Sequence, residues 1–275
     1  MIALLRTELT KGLRRTRSLV MLAALLLLPA VITLALNSGG RRPVRRAGGL
    51  MVLARSSGLL IPAAVLELMS GFLLVVIAAT IAGDAVAGDA ASGNLRYLLL
   101  RPLSRTKLLV AKAAVSGLLI WVVTILLTLS ALLAGITFFG VHAVTVPAAG
   151  AATGGFQLSV GVLLSHTAVA TAYVAFGFTA LLALGTLFST LTDTPAGAIG
   201  ATVGVYVVSE ILDGISDLGR IRYALPTHYL NSWQSLFTAN QYSGDLLAGV
   251  IVQLAYLAVF GTLAITWFHR KDISS

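Results

Sequence analysis

Residues 109–135 read LVAKAAVSGLLIWVVTILLTLSALLAG, and Lys112 is the one charged residue among them. A run of this length exceeds the roughly 18 apolar residues that mark a bilayer-spanning helix. Further apolar runs lie at roughly 18–36, 59–82, 163–187, 195–213 and 246–268. The composition agrees, with 57% of the 275 residues hydrophobic and 11% charged, whereas a soluble domain carries about 25% charged residues. Mean hydropathy is +0.94. The expected fold is all-α: a polytopic membrane protein of six transmembrane helices, one domain over residues 1–275, with the bilayer as its solvent.

Residues 1–17 place Ile2, Leu5, Leu9 and Leu13 near helical spacing, with Arg6, Lys11, Arg14, Arg15 and Arg17 among them. This pattern predicts a basic amphipathic helix lying on a membrane surface. A cleavable signal peptide is not expected, because the run 18–36 outlasts the usual apolar core of about 7 to 15 residues and ends without a small-x-small site. Six spans put both termini on one side, and the Lys and Arg distribution chooses it. With the termini cytoplasmic, the N-terminal helix, the 83–112 connection (Arg96, Arg101, Arg105, Lys107, Lys112) and the C-terminus (Arg270, Lys271) hold twelve basic residues. Seven fall outside: Arg41, Arg42, Arg45, Arg46, Arg55, Arg220 and Arg222. The arginine-rich first external loop is an exception to the rule, and it reads as solvated or as a recruiter of anionic groups.

The fourth and fifth spans are joined by the short turn 188–194, where Asp193 and Thr194 precede Pro195 as a helix start, so a tight antiparallel hairpin is expected. Segment 216–244 is too polar to span, yet Tyr229, Trp233, Leu236 and Phe237 share one helical face. It reads as an outer interfacial or re-entrant piece before the last span, or as a loop with interface aromatics.

The chain has no cysteine, which excludes disulfides, thiolate metal sites and thiol nucleophiles. G-x-S-x-G, H-E-x-x-H and G-x-x-x-x-G-K-[ST] do not occur, and His142, His166, His228 and His269 lie far apart. No catalytic role, cofactor or metal is therefore expected in this chain, and work driven by ATP would need another subunit to bind it. The net charge of +9 sits mainly at the ends of apolar runs, where anionic lipid and topology account for it, so no nucleic-acid partner is expected. Ala196, Gly200 and Gly204 form a small-xxx-small ridge on the fifth span, a candidate for helix packing or a dimer contact. Glu67 and Glu210 are ionisable residues within apolar runs, where burial is costly. Each reads as lining a substrate path or as lying at headgroup level.

The stretch 83–112, GDAVAGDAASGNLRYLLLRPLSRTKLLVAK, connects the second and third spans. Ser92, Gly93 and Asn94 read as a helix start, and Leu95, Leu98 and Leu99 follow at i, i+3 and i+4. Pro102 breaks that run, and Ser104 can cap a new helix that continues through Lys107 and Lys112. A short amphipathic helix over 92–100 is expected on the cytoplasmic side, with Asp89 and Arg96 orienting it by charge. It either docks a partner or lies among headgroups.

This arrangement resembles the permease subunits of ABC exporters of the ABC-2 type. In that family a segment of the form G-x-L-x-x-L-L-x-x-P-x-S-R-x-x-x-L-x-x-K follows the second span. Here Gly93, Leu95, Leu98, Leu99, Pro102, Ser104, Arg105, Leu109 and Lys112 stand at those places. An acidic residue common just before the family's glycine is absent; Ala90, Ala91 and Ser92 precede Gly93, and Asp89 is the nearest carboxylate. The N-terminal elbow helix, the six spans, the outer segment and the ending His269-Arg270-Lys271-Asp272-Ile273 also resemble the family. The resemblance implies a non-catalytic permease in the plasma membrane of a prokaryote, exporting a hydrophobic or amphipathic substrate. It implies a second permease copy or paralogue and two ABC ATP-binding subunits that carry ATP and Mg. Lipid is the surrounding partner. The alternative reading is a nucleotide-independent secondary transporter or lipid-translocating protein, for which Glu67 is the candidate midplane ion site.

Overall fold

The computed structural model describes residues 16–38, 49–93, 104–147, 155–238 and 245–270. Its helices are α1 (Thr16–Ser38), α2 (Gly49–Leu53), α3 (Ile61–Ser70), α4 (Leu73–Ala91), α5 (Arg105–Phe139), α6 (Val160–Leu191), α7 (Pro195–Asp213) and α8 (Asp245–Arg270). Short 3-10 turns cover Gly58–Leu60, Ser216–Ala224 and Ser232–Phe237. Among the described residues α4, α5, α6, α7 and α8 are the five helices long and apolar enough to cross a membrane. The amphipathic helix expected over residues 1–17 lies outside the described residues except for its last two positions, which open α1.

The helices form one bundle. α6 lies at its centre, against α4, α5, α7 and α8, while α1 packs along α5. One end of the bundle carries the α4–α5 connection, the α6–α7 turn and the C-terminus of α8; it is called here the connection end. The opposite end carries two strands, β1 (Val144–Pro147) and β2 (Gly155–Leu158), paired antiparallel with Val144 opposite Leu158. The fold is otherwise all-α, as expected, with this short hairpin as an addition at one end. The hairpin's inward residues Val144, Val146 and Leu158 are buried on the main core, and the alternation of Val144, Thr145 and Val146 suits a pleat with one face covered.

Hydrocarbon offers backbone and hydroxyl groups no water, so they must be satisfied inside the protein. Four buried threonines do this within their own helices: Thr33, Thr124, Thr186 and Thr202 each donate to the carbonyl four residues back, at 2.6 to 2.8 Å. Thr33 serves the carbonyl of Pro29, the proline inside α1.

The second span differs from its sequence reading in two ways. The run 59–82 is not one helix, because α3 stops at Ser70 and α4 begins at Leu73, across Gly71 and Phe72. Phe72 has φ −144° and ψ −56°, outside the helical region, so the helix is interrupted between α3 and α4. α4 then continues past residue 82 to Ala91, through Gly83, Asp84, Gly88 and Asp89, which had read as a loop. The physical cause is tertiary. Ser189 of α6, fully buried, accepts from the Val86 and Ala87 amides at 3.0 and 2.9 Å and donates to the Gly83 carbonyl at 2.7 Å. Gly83 lets α7 approach the same stretch, since a Cβ there would come within 2.6 Å of Ile199 Cγ1 and 3.3 Å of the Pro195 carbonyl.

The cluster Ser92, Gly93 and Asn94 had read as a helix start, but Ser92 and Gly93 end α4 instead. Gly93 takes φ of +69°, a conformation that costs glycine little, and the Ser92 hydroxyl donates to the Gly88 carbonyl at 2.9 Å. By contrast, Ser104 caps α5 as expected, its Oγ accepting from the Lys107 amide at 3.4 Å. α7 occupies the expected 195–213, with Pro195 in its first turn.

Candidate functional site

At the connection end, Lys112 of α5 donates to Asp89 of α4, and their side chains are 4% and 2% exposed. Asp89, expected with Arg96 to orient the connection by charge, has its carboxylate turned into the bundle, where it ties α4 to α5. Arg105 donates to the His269 carbonyl at 3.3 Å, and Thr106 contacts the His269 ring, so the start of α5 is also held to the end of α8. Val86, Leu109, Ala264 and Phe268 close a small apolar cluster among α4, α5 and α8 at this end. Leu95, Arg96, Leu98, Leu99 and Pro102 lie outside the described residues. What the structure supplies is the anchorage on either side of them, from Asp89 to Gly93 and from Ser104 to Lys112.

Glu67 is the seventh residue of α3, three residues before the helix ends at Ser70. One of its carboxylate oxygens is buried and meets no hydrogen-bond partner among the described residues. Glu210 lies in the last turn of α7 and interacts with the Tyr206 hydroxyl, which is 3.4 Å from the Ser70 carbonyl. Tyr206 thus links α7 to the end of α3, where its hydroxyl meets the Ser70 carbonyl at the break in the second span.

The face of α7 turned to its own chain carries Ala198, Thr202, Tyr206 and Ser209. Ala196, Gly200 and Gly204 are exposed, and a Cβ at Gly200 or Gly204 would meet no atom within 4 Å. Among the described residues Gly200 and Gly204 therefore make no close contact within their own chain, which leaves the ridge as a candidate for contact with another helix. The close approach is made by other small residues: a Cβ on Gly185 of α6 would come within 2.6 Å of Ala82 Cβ and 3.1 Å of Thr202 Oγ1. Sequence spacing had not singled out Gly83, Gly185 or Ser189.

A groove of about 540 Å³ runs between α6, α7 and α8. Phe178 and Leu181 form part of its floor, Val205 and Val208 one lip, and Tyr256 and Phe260 the other. Residues 225–230 roof it near the hairpin end. The roof is fastened by Ser209 to Thr227 at 2.7 Å, Gln253 to the Pro226 carbonyl at 2.7 Å and Tyr256 to the Ala224 carbonyl at 2.6 Å. Asp213 adds His228 at 2.5 Å and Arg222 at 3.4 Å. The segment 216–237 is thus a non-spanning piece built on 3-10 turns and anchored inward by buried Leu230, Trp233, Leu236 and Phe237. Tyr173 donates to the Tyr229 carbonyl at 2.7 Å. Partial burial, with Asp245 and Tyr223 nearby, pushes the Tyr229 phenol above its ordinary range. A second groove of about 550 Å³ lies on the other flank of α8, between α5 and α6 toward the connection end. Among the described residues no three His, Asp or Glu side chains come together to hold a metal.

The family model described as ABC-2 family transporter protein matches residues 2–273. Among curated proteins, no relative matches the chain.

Proposed function

The chain belongs to the ABC-2 transporter family, and on that premise we propose that it is the permease of an ATP-driven exporter, powered by a separate ATP-binding subunit. The observation that carries this reading is the anchorage of the α4–α5 connection. Asp89–Lys112, the Ser189 bonds and the Arg105–His269 contact hold both sides of segment 94–103 to the bundle. A load applied there passes into α4, α5, α6 and α8 together.

In this reading α1 is the first span and α3 with α4 the second, giving six, and the connection end faces the cytoplasm with both termini. The membrane is the plasma membrane of a prokaryote. Two ATP-binding subunits, holding ATP and Mg, act on Leu95, Arg96, Leu98, Leu99, Pro102 and the capped start of α5. A second permease copy or paralogue meets the exposed ridge of α7. A hydrophobic or amphipathic substrate crosses beside the second span and α7, past Glu67 and Glu210. The ATP-driven change does work only through contacts that differ between inward- and outward-facing states.

Extraction of the chain in mild detergent tests the reading. An ATP-binding subunit is expected to accompany it and to show hydrolysis that responds to substrate. A chain that purifies without such a subunit and transports in its absence would make it a nucleotide-independent transporter.

A further inference from the structure

We infer that the groove between α6, α7 and α8 holds one acyl chain of a zwitterionic phospholipid, with the headgroup seated at the rim beyond the 225–230 roof. The inference goes beyond the transport reading and uses only its orientation, to place the lipid in the outer leaflet.

Three observations carry it. The first is length. The groove follows α7 from Ala201 to Leu212, a rise of about 16 Å at 1.5 Å per residue, and one leaflet of hydrocarbon is about 15 Å deep, half of a core about 30 Å thick. It lies in the half of α7 nearer Asp213, so it begins near the middle of the span and ends at one interface.

The second is chemistry along that length. Apart from Tyr206 and Tyr256, whose hydroxyls are bonded to backbone carbonyls, the floor and lips are apolar, and Val205 and Val208 on the α7 lip are 39% and 55% exposed, so the groove opens sideways toward lipid. Polar side chains gather at the roof: Ser209, Thr227, Gln253 and Tyr256. Each is already bonded to the roof, so the groove offers a chain walls without polar demands. An extended apolar chain satisfies such walls, and water does not.

The third is charge at the rim. Asp217 and Arg220 are exposed in the turn before the roof, next to the Asp213–Arg222 pair. Carboxylates and guanidiniums interleaved at one interface complement a headgroup that carries both a phosphate and an ammonium. A purely anionic headgroup would pair with the guanidiniums alone and bring no ammonium to the carboxylates.

The full chain, purified in mild detergent and then exchanged into a lipid-free one, is tested by mass spectrometry of the lipid it retains. One phosphatidylethanolamine per chain is expected, and reloading from vesicles should favour it over phosphatidylglycerol. Ala201→Phe fills the inner part of the groove and should abolish retention. Val208→Phe, at a lip with room for a larger ring, provides a second variant that leaves the packed face of α7 alone and should also lose the lipid. Absence of retained lipid in the unaltered chain overturns the inference. So does retention unchanged in well-folded variants, or equal loading of phosphatidylglycerol. If the variants instead dissociate the protein into single chains with no change in lipid, a second copy fills the groove and the inference falls. Co-purification of an ATP-binding subunit is read separately, so retained lipid without that subunit sinks the transport reading and leaves the groove intact.

Discussion

Asp89 and Lys112 are 23 positions apart and share a buried contact at the base of α4 and α5. Removing one partner from such a pair leaves a charge without compensation, at a cost of about 3–5 kcal/mol, whereas replacing both by apolar residues of similar volume is often neutral or stabilising. Asp89→Leu or Lys112→Met alone is therefore expected to lower the thermal stability of the purified protein, and the double variant to recover most of it. A double variant no more stable than either single one would mean that the two residues do not act as a pair. Ser189→Ala makes a related prediction. It removes three hydrogen bonds to two amides and a carbonyl of α4, each worth about 0.5–1.5 kcal/mol. Loss of stability is expected without loss of volume, and an unchanged melting temperature would show that the α4 backbone closes on itself.

At the scale of elements, legibility depended on where the determinant lies. α7 was readable to the residue, since Pro195 after Asp193 and Thr194 is a local start signal and Asp213 meets a polar segment. The course of the other spans was readable from apolar runs, though their helices extend farther, α5 to 105–139 and α6 to 160–191. The continuation of α4 to Ala91 was not, because glycines and aspartates that read as a loop are made helical by Ser189 and Lys112, more than twenty positions away. The break at Gly71–Phe72 carries no proline to announce it. The ridge of α7 shows a third case: spacing groups Ala196, Gly200 and Gly204 on one face, but cannot say whether that face meets its own chain. Two glycine variants separate these roles. Gly83→Leu should impair folding, because its Cβ alone would reach Ile199 and the Pro195 carbonyl. Gly200→Leu should fold normally and lose chain-to-chain cross-linking, because close helix approach needs small residues. Normal cross-linking of the Gly200→Leu variant would put the ridge against lipid.

For the whole molecule, orientation comes before coupling. The chain has no cysteine, so single cysteines at Ser38, Ser92 and Ser274 report sidedness directly. In intact cells an impermeant thiol reagent is expected to label only the first. Labelling at Ser274 but not Ser38 would invert the protein and place segment 94–103 outside, beyond reach of a cytoplasmic ATPase.

With the connection end inside, the coupling prediction joins the residues to the assembly. If Leu95, Leu98 and Leu99 supply the apolar contact for an ATP-binding subunit and Arg96 its charge, as proposed, then Asp89, turned inward on Lys112, acts on the spans rather than on the partner. The two groups should therefore fail differently. Replacing the three leucines by alanine, or reversing charge at Arg96, should weaken retention of the subunit or its substrate-linked hydrolysis, with insertion and melting temperature unchanged. Asp89→Asn should leave the subunit bound and lower stability, loosening the path from the connection into α4 and α5. Should the triple-alanine variant keep normal coupling, the contact shifts to the basic N-terminal segment, where Arg6, Lys11, Arg14, Arg15 and Arg17 carry charge on the same side of the membrane.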